Sequence, residues 1–398
     1  MKIPPISLLF LLAVNTFYAY GQTPTPSNLS GKFIEWALPI GAQTAAPNTV
    51  GSSEPLHVLP SFDDQASLFF TQRLLGYIGR LDAKSQITEW FLGPISFPHD
   101  LLFVGGTIIL SEEGTNVLGQ FTPWKNSIKE WLVPGVNPVP WHLARVNSYI
   151  YFSEENTQKI GRLNLVNNQI TEWNTPTPNP EGLEAAGAKV WFVEPNFANT
   201  SAGKIAMLDT LKNTITEYPV SGAEAPQGLS HVKIFGRKVF FTDQGVSVNY
   251  LGEVDPSTNT VSEWVVPTAN AATGDLDVLE TECNGEEGAL IEFSEFQGGK
   301  VASLNTSLQA PDSSVVVTPI VTSETPVVTT VVPVTRSLTP VVTKVAPVIT
   351  PVTGVATGGF IEYAVPTPQS GPGGVAVFGD DVLIFTERSG DKVGILLH

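Results

Sequence analysis

Three of the five histidines in this 398-residue chain sit just after a proline, in Pro55-Leu56-His57, Pro98-His99-Asp100 and Pro140-Trp141-His142. Neutral imidazoles gathered from separate segments can pass a proton near neutral pH or hold a divalent cation. A second series carries acids: Phe70-Thr71-Gln72, Leu110-Ser111-Glu112, Phe152-Ser153-Glu154, Phe192-Val193-Glu194, Phe241-Thr242-Asp243, Phe293-Ser294-Glu295 and Phe385-Thr386-Glu387. Six of these seven end in a carboxylate, so a repeated fold would arrange them as a ring. His57, His99 and His142 are therefore the candidate catalytic residues, and Glu387, Glu112 and Glu154 the candidate metal ligands. The structural alternative is that each acid accepts backbone N–H bonds in its own turn, or pairs with Lys159, Lys204 or Lys392.

What must position these residues is itself a repeat. An apolar residue, any residue, Glu, then Trp or Tyr occurs seven times: Phe33–Trp36, Ile87–Trp90, Ile128–Trp131, Ile170–Trp173, Ile215–Tyr218, Val261–Trp264 and Phe360–Tyr363. Between the second copy and the sixth the spacing is 41 to 46 residues. Each interval holds short runs rich in β-branched and aromatic residues, broken by Asn, Gly and Pro, which read as four strands, a to d. Units of that size stack because none can bury both faces alone. The expected fold is all-β, a seven-bladed β-propeller. Strands a to c appear seven times and the chain stops after the last c strand, so the first tetrad should complete the C-terminal blade and close the ring. On the outermost strand the tetrad aromatic should fill the wedge between blades. The end of strand b and the start of strand a lie on one face, so the acid ring should border the mouth where the a strands begin.

One interval departs from the period, with 99 residues from Trp264 to Tyr363. The excess, residues 309–357, is rich in Thr, Pro and Val. Proline every few residues forbids a central strand, so the segment reads as a c–d loop of blade six, extruded from one face, and not as an eighth blade. Its excision should cost no more than about 1 kcal/mol. Its valines leave open the addition of strands to a partner, and its threonines an O-glycosylated stretch.

Lys2, the apolar run from Ile3 to Val14, and Ala19-Tyr20-Gly21 resemble a secretory signal. The expected division is a signal peptide at 1–21 and a propeller over 22–398, secreted or surface-associated, with no integral membrane segment after cleavage. A single cysteine, Cys283, excludes an intramolecular disulfide. A formal net charge of -17 argues against nucleic acid as a partner. Sequons at Asn28, Asn199 and Asn305 would be occupied only in a eukaryotic host, as a glycoprotein.

The combination Phe-[Ser/Thr]-Glu, [Ile/Val]-Gly-x-Leu and Ile-Thr-Glu-[Trp/Tyr] closely resembles the repeat of the virginiamycin B lyase family, over nearly the whole chain outside the insert. The resemblance implies a Mg²⁺-assisted elimination that opens the ester of a cyclic depsipeptide, with the metal stabilising negative charge and a histidine moving the proton. The family's last blade begins Glu-Pro-His-Gly and has a second Glu at the end of strand b. Here that start is Gly371-Pro372-Gly373-Gly374, and only Glu387 matches; the family's Pro-His of the preceding blade is replaced by Gly274-Asp275. Glu54-Pro55-Leu56-His57 echoes the motif one residue out of register. The expected function is thus a binding or scaffold propeller taking a small-molecule, peptide or surface ligand at its mouth. The alternative is a divalent-metal-dependent lyase or hydrolase that opens an ester or lactone.

Overall fold

The computed structural model describes residues 29–39, 53–61, 67–195, 203–220, 228–244, 248–283, 286–378 and 382–398. The signal segment and the sequons at Asn28 and Asn199 lie outside them. Seven antiparallel sheets are present, each a four-stranded blade with a fifth strand added. Blade one is Pro55–Ser61, Ser67–Gln72, Tyr77–Leu81 and Gln86–Phe91. Blade seven is Pro372–Val377, Val382–Glu387 and Lys392–Leu397, completed by the N-terminal strand Ser30–Ala37, with Phe33 opposite Leu396 and Glu35 opposite Gly394. Ring closure by the first tetrad is therefore observed.

The repeated residues now have physical reasons. In strand b the Phe lies over the Gly of strand c: a Cβ on Gly161 would fall 2.1 Å from the Phe152 ring. The Ser or Thr that follows ties blades together. Thr71 Oγ1 accepts the His57 N–H at 3.1 Å and donates to the His99 carbonyl of the next blade at 3.1 Å. Thr386 does the same across the closure, donating to the Leu56 carbonyl at 3.0 Å. The tetrad Trp fills the seam, as expected. Trp131, for example, packs with Leu143, Phe152 and Leu163 of the following blade. Its indole N–H donates to Asn168 Oδ1 at 2.9 Å, and Trp90 and Trp173 reach Asn126 and Asn213 at the same distance. These asparagines sit at positive φ in the c–d turns (48°, 58° and 53° for 126, 168 and 213), a conformation Asn tolerates better than most residues.

The insert corrects the sequence expectation: it is not extruded from one face. It supplies the fifth strand of every blade in one lap around the rim. Ser313–Val316 pairs with blade five, Ile320–Ser323 with four, Val327–Thr330 with three and Val334–Ser337 with two. Pro340–Lys344 then pairs with blade one, Val348–Thr353 with seven and Val355–Thr357 with six. Pro319, Pro326, Pro333, Pro340 and Pro347 fall every seventh residue, so one heptad serves one blade. The one to three residues joining such strands cannot return the chain to a strand's starting end, so the segments run head to tail as a belt. Proline is admissible because every belt strand is an edge strand. The fifth residue after each of the first four prolines, and Val317 before them, donates its N–H to the c–d turn, as in Val331 N to Asn168 O at 3.0 Å and Leu338 N to Asn126 O. Val317, Val331, Leu338, Val345 and Val352 pack into five of the seven inter-blade cores.

Candidate functional site

Strand a of six blades begins with a β-bulge, two residues opposing one on strand b, between Pro55 and Val58 in blade one and likewise in blades two, three, five, six and seven. Bulges re-aim side chains. The second bulge position holds His57, Asp100, His142, His231, Asp275 and Gly374; the first holds Leu56, His99, Trp141, Ser230, Gly274 and Gly373. His99 is thus one residue out of step with His57 and His142. Its ring still reaches the cluster, 4.9 Å from both His57 and His142 between centroids, and lies 3.9 Å from the Trp141 ring at a tilt of 33°.

A fourth histidine joins that sequence reading missed. The repeat places the start of strand a in blade five at Pro226-Gln227-Gly228, of which only Gly228 is described. The strand begins at Leu229, paired with Asp243, which puts His231 in register with His57. Its Nε2 lies 2.9 Å from His142 Nε2, and its Nδ1 lies 2.8 Å from Ser230 Oγ. Counting back from the strand-b hydroxyl would have found it. His231 precedes Thr242 by the same 11 residues that separate His142 from Ser153 and Asp100 from Ser111. The fifth histidine, His398, stacks on Tyr363 away from this cluster.

His57, His99 and His142 bring one ligand atom each to within 4.8 Å of one another. Burial lowers the pKa of all three and of His231, with mutual repulsion adding to the effect for His99 and His142, so the rings are neutral. Asp100 Oδ1 is 3.5 Å from His57 Nδ1, and Asp275 Oδ1 is 3.7 Å from His231 Nε2. Burial pushes Asp100 up to about 7, against N–H bonds from Leu143 and Leu101. Below them, burial works against the Lys233 charge, but Asp277, Glu184 and the two aspartates hold it protonated. Around the mouth, Glu54 is gripped by Arg73 at 2.9 Å and by Arg388, and Arg73 continues to Glu113. A cavity of about 250 Å³ opens here, lined among others by His57, His231, Asp275, Phe296, Gly373 and Arg388.

The acid ring does not border the mouth as expected. Glu112, Glu154 and Glu387 are buried inside their blades, facing the tetrad glutamates Glu130, Glu172 and Glu35. Glu194 faces Glu217 and Glu295 faces Glu362 in the same way. Two carboxylates at hydrogen-bond range need a proton between them. Burial and the neighbouring acid push Glu112 and Glu154 up to about 8 and Glu387 to about 9. Although burial opposes it, hydrogen bonds from Glu387, Thr367 and Lys392 hold Glu35 below its ordinary value. Blade one has the same arrangement with an amide in place of the protonated acid: Gln72 donates Nε2 to Glu89 Oε1 at 2.7 Å. The lysines pair with the tetrad acids and not with the ring: Lys159 with Glu172, Lys204 with Glu217, Lys392 with Glu35. Glu112, Glu154 and Glu387 thus face acids inside their own blades, while His57, His99, His142 and His231 converge at the mouth.

No protein-family profile matches the chain, and no curated protein matches it. Among solved structures it is similar to a virginiamycin B lyase from Staphylococcus aureus, with 19% identity over 92% of this chain and 99% of that one and a TM-score of 0.64. A streptogramin B lyase structure gives 18% identity, coverage of 92% and 98%, and a TM-score of 0.65. A catalytically inactive virginiamycin B lyase from S. aureus with quinupristin gives 19% identity, coverage of 92% and 99%, and a TM-score of 0.63. At these identities the likeness is one of architecture: the chain has the seven-bladed propeller fold of the streptogramin B lyases.

Proposed function

We propose that this chain is a ligand-binding propeller that takes part of a small-molecule or peptide ligand into the cavity at its mouth, and that it does not carry out the lyase elimination. One observation carries the reading. Where the family's last blade supplies a histidine, Gly373 and Gly374 line the cavity, and the matching acid, Glu387, is withdrawn into its blade against Glu35. Gly374 is held by packing, since a Cβ there would lie 2.4 Å from the Leu56 carbonyl of blade one. The donors that converge at the mouth are mainly imidazoles, with Asp100 and Asp275 already holding backbone N–H groups, a poor set for Mg²⁺, which asks for oxygen ligands and retained waters. The N-terminal apolar segment supports export, and with it a ligand met outside the cytoplasm; among the described residues no helix is long and apolar enough to cross a membrane.

A second reading has its own support. Asp100, which titrates near neutrality, stands beside His57, a pairing suited to acid–base work on an ester or lactone. Incubating the purified protein with quinupristin and Mg²⁺ and following product mass separates the two. The binding reading expects the cyclic substrate to remain intact. Ring opening without gain of water marks elimination, and ring opening with gain of water marks hydrolysis. Either one, abolished in His57→Ala, replaces the binding reading with the enzymatic one.

A further inference from the structure

We propose that His57, His99 and His142, with His231 beside them, form a binding site for an imidazole-preferring transition metal dication of the Zn²⁺ or Cu²⁺ class. Four of the chain's five histidines converge here from blades one, two, three and five, with neighbouring ring centroids 4.5 to 5.9 Å apart. All but His231 are among the buried residues; the N–H groups of His57, His142 and His231 are pinned by strand-b hydroxyls, and the His99 carbonyl accepts from Thr71. The Nδ1 atoms of His99 and His142 are buried without a polar partner among the described residues. Leaving such an atom unmatched costs about 1–3 kcal/mol, which a purely packed cluster would have no reason to retain.

The geometry is close to what such a cation needs. Zn–N bonds of about 2.0–2.1 Å put tetrahedral ligand atoms about 3.4 Å apart, so imidazoles now within 4.8 Å must draw in by roughly 1 Å, a matter of small side-chain rotations. Orienting carboxylates are already set. Asp100 is fixed by the Leu143 and Leu101 N–H groups and Asp275 by the Val375 N–H, and each faces a ring nitrogen of the cluster. Carboxylates behind ligating imidazoles fix ring orientation and raise ligand basicity, and two of them offset a dication's charge.

The inference rests on the mouth being the binding end of the propeller, but it is scored without any organic ligand, so its failure and the failure of the cavity reading are read separately. Zn²⁺ affinity of the purified chain is measured by competition with a chromophoric chelator. One equivalent should bind and excess Mg²⁺ should not displace it. His99→Ala and His142→Ala should each weaken binding by at least about 100-fold, beyond the 10–100-fold expected of the orienting variant Asp275→Asn. His398→Ala should bind as wild type. Wild-type affinity no higher than that of the double variant His99→Ala/His142→Ala overturns the site. If those variants do not fold, X-ray absorption on the zinc-loaded wild type decides: three or four nitrogen neighbours with imidazole scattering support it, and an oxygen-only shell overturns it.

Discussion

Arg336 of the belt reaches across 206 residues of sequence to Glu130 of blade two, with Nη2 2.6 Å from Oε1 and Nε 2.9 Å from Oε2. Blades three, four, six and seven neutralise the tetrad acid with a lysine at the start of strand c: Lys159, Lys204, Lys300 and Lys392. Blade two has Val117 at that position, opposite Glu112. The belt supplies the missing cation from outside, at the one heptad with an arginine two residues after its first strand residue.

Replacing Arg336 by Ala should therefore destabilise the protein by about 1–2 kcal/mol, less than a fully buried pair because a third of the side chain is exposed. Val117→Lys in the same background should restore part of the loss in a denaturant titration. A silent Arg336→Ala would mean that the belt does not carry charge for blade two.

The belt covers seven d-strand edges at once, which changes what its removal should do. Excising residues 310–356 behind a short Gly/Ser linker should lower the melting temperature by more than 10 °C and produce concentration-dependent aggregation. Open strand edges would be freed, and the seam residues Val331, Leu338 and Val345 would be lost from their cores. Light scattering and calorimetry measure both. A melting curve equal to that of the intact chain would return the segment to the status of a passive loop.

The propeller, its closure and the inward role of the tetrad aromatics were legible because strand periodicity reports which residues must be buried. The belt was less so. Proline excludes a central strand, but an edge strand tolerates it, and the regular seven-residue spacing of the five prolines from Pro319 to Pro347, one heptad per blade, was the countable signal. His231 was hidden because composition does not mark where a bulged strand starts. The fate of Glu112, Glu154 and Glu387 depends on which neighbour shares the interior of the blade, a tertiary fact that alternation along strand b alone does not contain.

The shared-proton pairs give a pH dependence of definite sign. Glu112, Glu154, Glu295 and Glu387, raised to about 8, 8, 8 and 9, contribute stability that is complete below the unfolded value near 4.5 and is lost as pH rises through 8 to 9. Glu35, Glu217 and Glu362, which face Glu387, Glu194 and Glu295, are lowered and contribute above 4.5, losing that as pH falls. The melting temperature should be highest near pH 4.5 to 5 and fall progressively as pH rises to about 9. Glu387→Gln, which copies Gln72, should be near neutral around pH 4.5 and make the fall toward pH 9 shallower. A fall unchanged in that variant would show that the pairs do not share a proton.

The N-terminal strand carries the ring and the belt together. Ser30–Ala37 lies between Lys392–Leu397 on one side and the belt segment Val348–Thr353 on the other. It buries Phe33 against Phe385 and Trp36 at the seam with blade one. Trp36→Ala should cost about 3–5 kcal/mol, the range for emptying a buried aromatic site, and also release Ser85 from the indole N–H. Deleting residues 22–38 should do more, because two strands lose their partner and the seventh blade opens to solvent. Denaturant unfolding of both proteins, with size-exclusion chromatography to follow association, measures the effect. A truncated chain that unfolds at the same midpoint as the full-length protein would show that blade seven does not depend on the first tetrad for closure.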